Sequence, residues 1–169
     1  MKKIYLLRHA KSDWSDPVCA DFDRPLNMRG LRDAPFMAKK LAGNEYSIQL
    51  ILSSPANRAI TTAQFFAEAL KIGASALQIE EKIYDASVKD LIQIICSLSE
   101  SYSTVLIVGH NPGMSLLAAY LTNSQMDMPT CAIACIELEI ETWNMTSKAT
   151  GSIVSFDYPK KYFNSDLLH

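Results

Sequence analysis

The sequence predicts an α/β fold: a mostly parallel central sheet flanked by helices on both faces, with an antiparallel edge. Three observations predict it. Short apolar runs of strand length alternate with stretches of helical periodicity, several of the helical stretches open on recognisable start devices, and the last two runs are joined by a polar turn region. No repeat, low-complexity tract or Pro/Gly-rich linker divides the 169 residues, so a single domain over 1–169 is expected, long enough to bury a core without disulfides or structural metal.

The first strand is expected at residues 4–8, where Ile4, Tyr5, Leu6 and Leu7 run into Arg8. A helix follows between residues 27 and 41. Pro35 interrupts it, because the ring removes an N–H and crowds the preceding turn, so the helix either starts at Asn27 and bends or starts later with Asp33 as its cap. Leu50–Ser53 is the second strand, and Ser54-Pro55 after it fits an N-cap with proline at the first helical position. Leu77–Ile79 is the third strand. Ser87 with Asp90 forms a capping box ahead of Val88, Leu91, Ile92, Ile95 and Leu98, which share one helical face. Residues 105–109 make the fourth strand, and Asn111-Pro112 repeats the cap-and-proline device. In 131–141, Cys131, Ile133 and Cys135 alternate with Ala132, Ala134 and Ile136, then Leu138 and Ile140 alternate with charges. That pattern is a strand passing from buried to half-exposed, with 151–156 as its hairpin partner.

Composition limits the possible functions. A net charge of −2 gives no global electrostatic reason to bind nucleic acid or an anionic membrane, so any anion site must be local. The apolar run after Lys2 and Lys3 is too short for a signal sequence, and no segment reaches spanning length, so a cytoplasmic protein with no membrane partner is expected. Cys19, Cys96, Cys131 and Cys135 show no C-x-x-C pair and no histidine at zinc-ligand spacing, which reads as reduced thiols used for packing.

Three of the predicted strands end in chemistry. Ligands gather at the carboxyl ends of strands in open α/β sheets, and there the first strand places Arg8 and His9. The second strand opens a helix carrying Arg58 in its first turn, where free backbone N–H groups and the positive dipole end favour an anion. The fourth ends at Gly109-His110-Asn111-Pro112. Each residue alone reads more simply as a structural group, but two of the three histidines and two arginines fall together on one sheet edge. His169 has no such context.

These residues resemble the histidine phosphatase superfamily. The match runs through Arg8-His9-Ala10, where the family carries R-H-G, Leu26-Asn27-Met28-Arg29-Gly30, residues 53–59 followed by Thr62-Ala63, and Val108-Gly109-His110-Asn111-Pro112. The short length and the run Asp21-Phe22-Asp23-Arg24-Pro25-Leu26 look most like the SixA-type phosphohistidine phosphatases. The resemblance implies a phosphoglycerate mutase-like fold, His9 as nucleophile, a phosphate pocket of Arg8, Arg58 and His110 with Asn111 beside it, and no cofactor or metal. It implies a substrate bearing phosphate, most naturally a phosphohistidine-containing protein. Two departures follow. Ala10 replaces glycine, which adds only a methyl unless the backbone needs positive φ, and it is not expected to. The general acid of larger members aligns best with Glu81, with Glu80 one register away.

The chemistry needs a neutral His9, and nearby Arg8, Arg58 and a charged His110 are expected to push its pKa down. The same cations would hold phosphoryl oxygens in line and offset developing charge. Rival readings are a broad phosphomonoesterase or mutase on small molecules, a noncatalytic phosphate-binding module, and a metal site using His9 and His110.

Overall fold

The computed structural model describes residues 1–44 and 47–163. Six strands form one sheet: β1 (Lys2–Arg8), β2 (Leu50–Ser53), β3 (Leu77–Ile79), β4 (Thr104–Gly109), β5 (Ile133–Leu138) and β6 (Gly151–Asp157), in the order β3-β2-β4-β1-β5-β6. The first four of that order are parallel, with Leu6 opposite Ile107 and Ile51 opposite Leu106. β5 and β6 complete the sheet as an antiparallel pair beside β1. The expected fold class is therefore the observed one.

Helices α1 (Met28–Ala42) and α2 (Asn57–Ala69) cover one face, and α3 (Val88–Cys96) and α4 (Gly113–Thr122) the other. Alternation along the central strands divides the core between them. Tyr5, Leu7, Ile51, Leu106 and Val108 pack with Met37 of α1 and Phe66 of α2, while Ile4, Leu6, Leu52, Val105 and Ile107 pack with Ile95 of α3 and Leu117 of α4. Strands buried on both faces read as unbroken apolar runs, which is why residues 4–7 and 105–108 lack a polar alternate. At the amino end of β1 the fully buried Trp143 lies under the Lys2 ammonium, 5.1 Å from the ring centre, and its Nε1 donates to the Tyr102 carbonyl. No described helix is long and apolar enough to cross a membrane.

Two of the four helix starts, those of α1 and α3, fall where the sequence offered them, and those of α2 and α4 do not. Asn27 caps α1, its Oδ1 accepting the Gly30 N–H at 2.9 Å, and Pro35 lies inside the helix. Asp33 is not a cap. It is buried and paired with Arg32 at 2.7 Å. Ser54-Pro55 does not open α2: the chain bends at Pro55 and Ala56, Ala56 still has extended dihedrals, the helix begins at Asn57, and no side chain among the described residues caps it. The Ser54 hydroxyl is taken instead by the Ala56 N–H and by His110. α4 starts one residue later than expected, at Gly113, after a cis Asn111–Pro112 bond, although Asn111 still accepts the Ser115 N–H at 3.2 Å. The Ser87–Asp90 capping box forms as expected. β5 begins at Ile133 rather than 131 because Cys131 has φ of 61°, and its N–H turns back to the Arg8 and His9 carbonyls.

Candidate active site

A cavity of about 350 Å³ opens at the carboxyl ends of β1, β2 and β4. The strand order sets these three side by side with β4 in the middle, so Arg8, His9, Arg58 and His110 meet there although the sequence scatters them over three strand ends.

His9 is buried at the end of β1 with its Nδ1 2.7 Å from the Ala10 carbonyl. A carbonyl can only accept, so Nδ1 carries the hydrogen and the lone pair is left on Nε2. Nε2 accepts from Arg58 Nε at 3.3 Å. The Ala10 N–H donates to Thr62 Oγ1 at 3.0 Å, and that hydroxyl donates to the Arg58 carbonyl at 2.7 Å, which ties the end of β1 to the first turn of α2. Ala10 is fully buried and does not have positive φ, so its methyl brings no backbone strain.

Arg58 is held by a residue to which the sequence assigned no role. Its Nη1 donates to the Asp21 carbonyl at 2.6 Å and its Nη2 to Asp21 Oδ2 at 3.1 Å. Asp21 also accepts from the Tyr84 hydroxyl at 2.7 Å and from Arg24, whose other terminal nitrogen donates to Ser12. The Arg24 guanidinium stacks on the exposed Trp14 ring at 3.6 Å, and both side chains line the cavity. The signal for Asp21 and Arg24 was the run 21–26, which the sequence offered without a reason. Tyr84 had none, because its place depends on the single turn Glu81–Ile83 that delivers it. Arg8 donates from Nη1 to the Met128 carbonyl at 3.0 Å, and its buried Nε has no partner among the described residues.

His110 leaves the end of β4 with its ring centre 5.1 Å from that of His9, and the Tyr84 ring meets it edge-on at 5.6 Å. Its Nε2 lies 2.7 Å from Ser54 Oγ. Asn111 also lines the cavity, but its carboxamide is engaged with the Met128 carbonyl at 2.8 Å and with Ser115.

The electrostatics keep both imidazoles neutral. Burial lowers His9 to about 3, helped by His110, Arg58 and Arg8 and opposed by the Ala10 hydrogen bond. The expected direction holds, with desolvation rather than the arginines as the leading cause. His110 falls to about 4, by burial first and then Arg58, so it is uncharged at neutral pH and not the cation the sequence suggested. Asp21 is held well below the usual carboxylate range, by the Tyr84 hydroxyl foremost and by Arg24 and Arg58.

Glu81 is not brought to the cavity. It is exposed at the start of its turn, and Glu80, equally outside the cavity, accepts the Lys82 N–H at 3.2 Å. The turn buries Ile83 and sends Tyr84, Asp85 and Ala86 to the cavity instead. Among the described residues no group of three or more His, Cys, Asp or Glu side chains is placed to hold a metal ion. His169 lies outside the described residues.

The sequence profile of the histidine phosphatase superfamily (branch 1) matches residues 4–91, which takes in Arg8, His9 and Arg58. An uncharacterized protein of Mycobacterium tuberculosis is 32% identical over 165 residues, covering 91% of this chain and 100% of that one. The phosphohistidine phosphatase SixA of Escherichia coli is 27% identical over 140 residues, 81% of this chain and 86% of that protein. Among solved structures, a candidate phosphohistidine phosphatase SixA from Agrobacterium tumefaciens superposes with a TM-score of 0.80 at 28% identity, covering 94% of this chain and 98% of that one. The protein histidine phosphatase SixA complexed with tungstate superposes with a TM-score of 0.81 at 23% identity over the same shares.

Proposed function

Since the chain belongs to the histidine phosphatase superfamily, branch 1, we propose that it is a metal-independent protein phosphohistidine phosphatase that works through a phosphoenzyme on His9. The observation that carries this reading is the state of His9: a neutral, oriented imidazole whose Nε2 lone pair faces the Arg58 guanidinium in a cavity also lined by Arg8 and His110.

The residues supply the steps in order. An incoming phosphoryl group offers the guanidinium of Arg58 a better acceptor than the His9 nitrogen, so its donors pass to phosphoryl oxygens and uncover Nε2. Arg8, whose Nε has no partner among the described residues, and Arg24 add positive charge around the same cavity. A loose transition state spreads charge over those oxygens, and fixed cations offset it without reorganising. Nε2 forms a bond to phosphorus as the bond to the leaving group breaks. Water then takes the phosphoryl group, releasing inorganic phosphate and restoring the lone pair.

The leaving group favours phosphohistidine over an alkyl phosphomonoester. An alkoxide needs a proton as it departs, whereas imidazole is far easier to expel. Asp21 is the carboxylate bonded to Arg58, and its lowered pKa keeps it ionised and unable to give a proton at neutral pH. Glu81, which the alignment offered as the acid, is outside the cavity. The short stretch from Arg58 to the turn at Glu81–Ile83 also leaves little chain for a lid, which suits a phosphate carried on a protein.

The test compares wild type with His9→Ala. Wild-type enzyme quenched during turnover should hold acid-labile phosphate on His9, and the variant should lose at least a hundredfold in kcat, ~2.7 kcal/mol, while keeping its fold. A variant that keeps more activity than that, or an acid-stable phosphoenzyme, would overturn the nucleophile assignment. Faster turnover of p-nitrophenyl phosphate than of phosphohistidine would move the substrate to small phosphomonoesters, and loss of activity in EDTA would sink metal independence.

A further inference from the structure

Ser54 follows β2 beside the end of β4, its N–H donating to the Val108 carbonyl at 3.0 Å, and its side chain is fully buried with two neighbours to its hydroxyl among the described residues. The Ala56 N–H donates to it at 3.2 Å, and His110 Nε2 lies 2.7 Å away. The first contact uses a lone pair of the oxygen, since an amide nitrogen only donates. The second can run either way, depending on which ring nitrogen of His110 holds its hydrogen.

The hydroxyl hydrogen decides the matter. Ser54 has one hydrogen to place, and among the described residues His110 Nε2 is the acceptor within reach of it. If Nε2 carried the ring hydrogen instead, the oxygen would accept twice and its own hydrogen would be stranded in a site closed to water, at the full desolvation cost of an unmet donor. Among the described residues Nδ1 has no partner in either tautomer, so the Nε2–H form leaves two groups unmet, the Ser54 hydrogen and the Nδ1 lone pair, while the Nδ1–H form leaves one, the Nδ1 hydrogen. Satisfying Ser54 therefore leaves the His110 hydrogen on Nδ1.

We infer that Ser54 is a positioning residue that fixes His110 as its Nδ1–H tautomer and so reserves a neutral donor for a phosphoryl oxygen. Nε2 is occupied by Ser54, so Nδ1 is the ring nitrogen left to meet a ligand, and His110 lines the cavity. The opposite tautomer would present a lone pair to the phosphoryl oxygens and repel them. Two neighbouring oxygens, one a backbone carbonyl and one a hydroxyl, thus set two imidazoles in opposite roles. The Ala10 carbonyl makes His9 a lone-pair donor at Nε2, and the Ser54 hydroxyl makes His110 a hydrogen donor at Nδ1.

The inference rests on the phosphatase reading for its purpose but not for its test. In wild-type protein labelled with ¹⁵N at histidine, the ring signals of His110, assigned by their loss in His110→Asn, should show a protonated Nδ1 and an unprotonated Nε2 at neutral pH. A protonated Nε2 would overturn the inference, with no variant of Ser54 needed. In Ser54→Ala the fixed pattern should give way to a tautomer mixture and kcat should fall about tenfold, the loss of one neutral hydrogen bond, while Ser54→Thr should restore both. A Ser54→Ala enzyme with the wild-type ring signals would also overturn it. An inactive wild type with Nδ1–H in place would count against the phosphatase reading alone.

Discussion

Asp21 does for Arg58 what the Ala10 carbonyl does for His9: it removes rotational freedom from a side chain that the proposed mechanism needs at a fixed angle to the phosphoryl group. The carboxylate acts through Arg58 and Arg24, so its charge matters more than its bulk. Asp21→Asn keeps the shape and drops the charge. It should lower kcat/KM about tenfold and weaken inhibition by inorganic phosphate, a loss at the low end for charge-assisted bonds because Asp21 is exposed and screened. Unchanged steady-state constants would show that Arg58 holds its place without Asp21. At this scale the sequence was legible where chemistry sat on a strand end. Arg8, His9 and His110 follow apolar runs whose direction and neighbours can be read from hydropathy alone. Asp21 opens the single turn Asp21–Asp23 and Tyr84 follows the single turn Glu81–Ile83; such turns carry no periodicity, and the meeting of the two side chains at 2.7 Å is a product of the tertiary path. Glu81 was misplaced for the same reason: a turn of three residues exchanges inside for outside within one step, and an aligned carboxylate says nothing about which it will be.

Elements hold the site from behind. Gly30, in the first turn of α1, lies so close to the segment after His9 that a Cβ built on it would stand 2.2 Å from the Lys11 carbonyl oxygen, which also accepts the Asn27 N–H at 3.0 Å. Backbone cannot yield as a flexible side chain would. Gly30→Ala should therefore cost about 1–3 kcal/mol, seen as a lower urea midpoint with an unchanged slope, and should slow turnover because Lys11 is two residues from His9. A midpoint equal to wild type would mean that α1 does not bear on this segment. The strands at Leu50–Ser53 and Leu77–Ile79 were legible to the residue, since each is short, apolar and bounded by polar or capping residues. Helix starts were less so. Ser54 has the composition of a cap, yet its hydroxyl is spent on Ala56 and His110, and no local rule reveals that a distant strand end will compete for it. Pro35 left two starts open for α1, and Asn27 with the packing of Met37 and Ala38 settles it on the earlier one, holding the helix together across the proline.

Across the whole molecule, the two neutral imidazoles link stability to pH. An unfolded histidine takes up a proton near pH ~6.5, whereas folded His9 and His110 do so only at about 3 and about 4. Below pH ~6.5 the unfolded chain thus binds more protons, and stability falls with pH by up to ~1.4 kcal/mol per unit for each residue until the folded values are reached. Carboxylates with lowered pKa, Asp21 among them, lose their contribution only further down. Denaturation midpoints should drop steadily from neutrality toward pH ~4, with a shallower slope in His110→Asn, and a flat profile would show that the histidines are not buried in neutral form. The two tryptophans divide along the same axis. Trp14 is exposed beside the cavity against Arg24, and Trp143 is sealed under Lys2 at the far end of β1. The molecule therefore carries one red-emitting and one blue-emitting indole: light from the red edge reports an anion that disturbs Arg24, light from the blue edge reports the opening of the core, and occupancy and unfolding can be followed as separate colours in a single unlabelled sample.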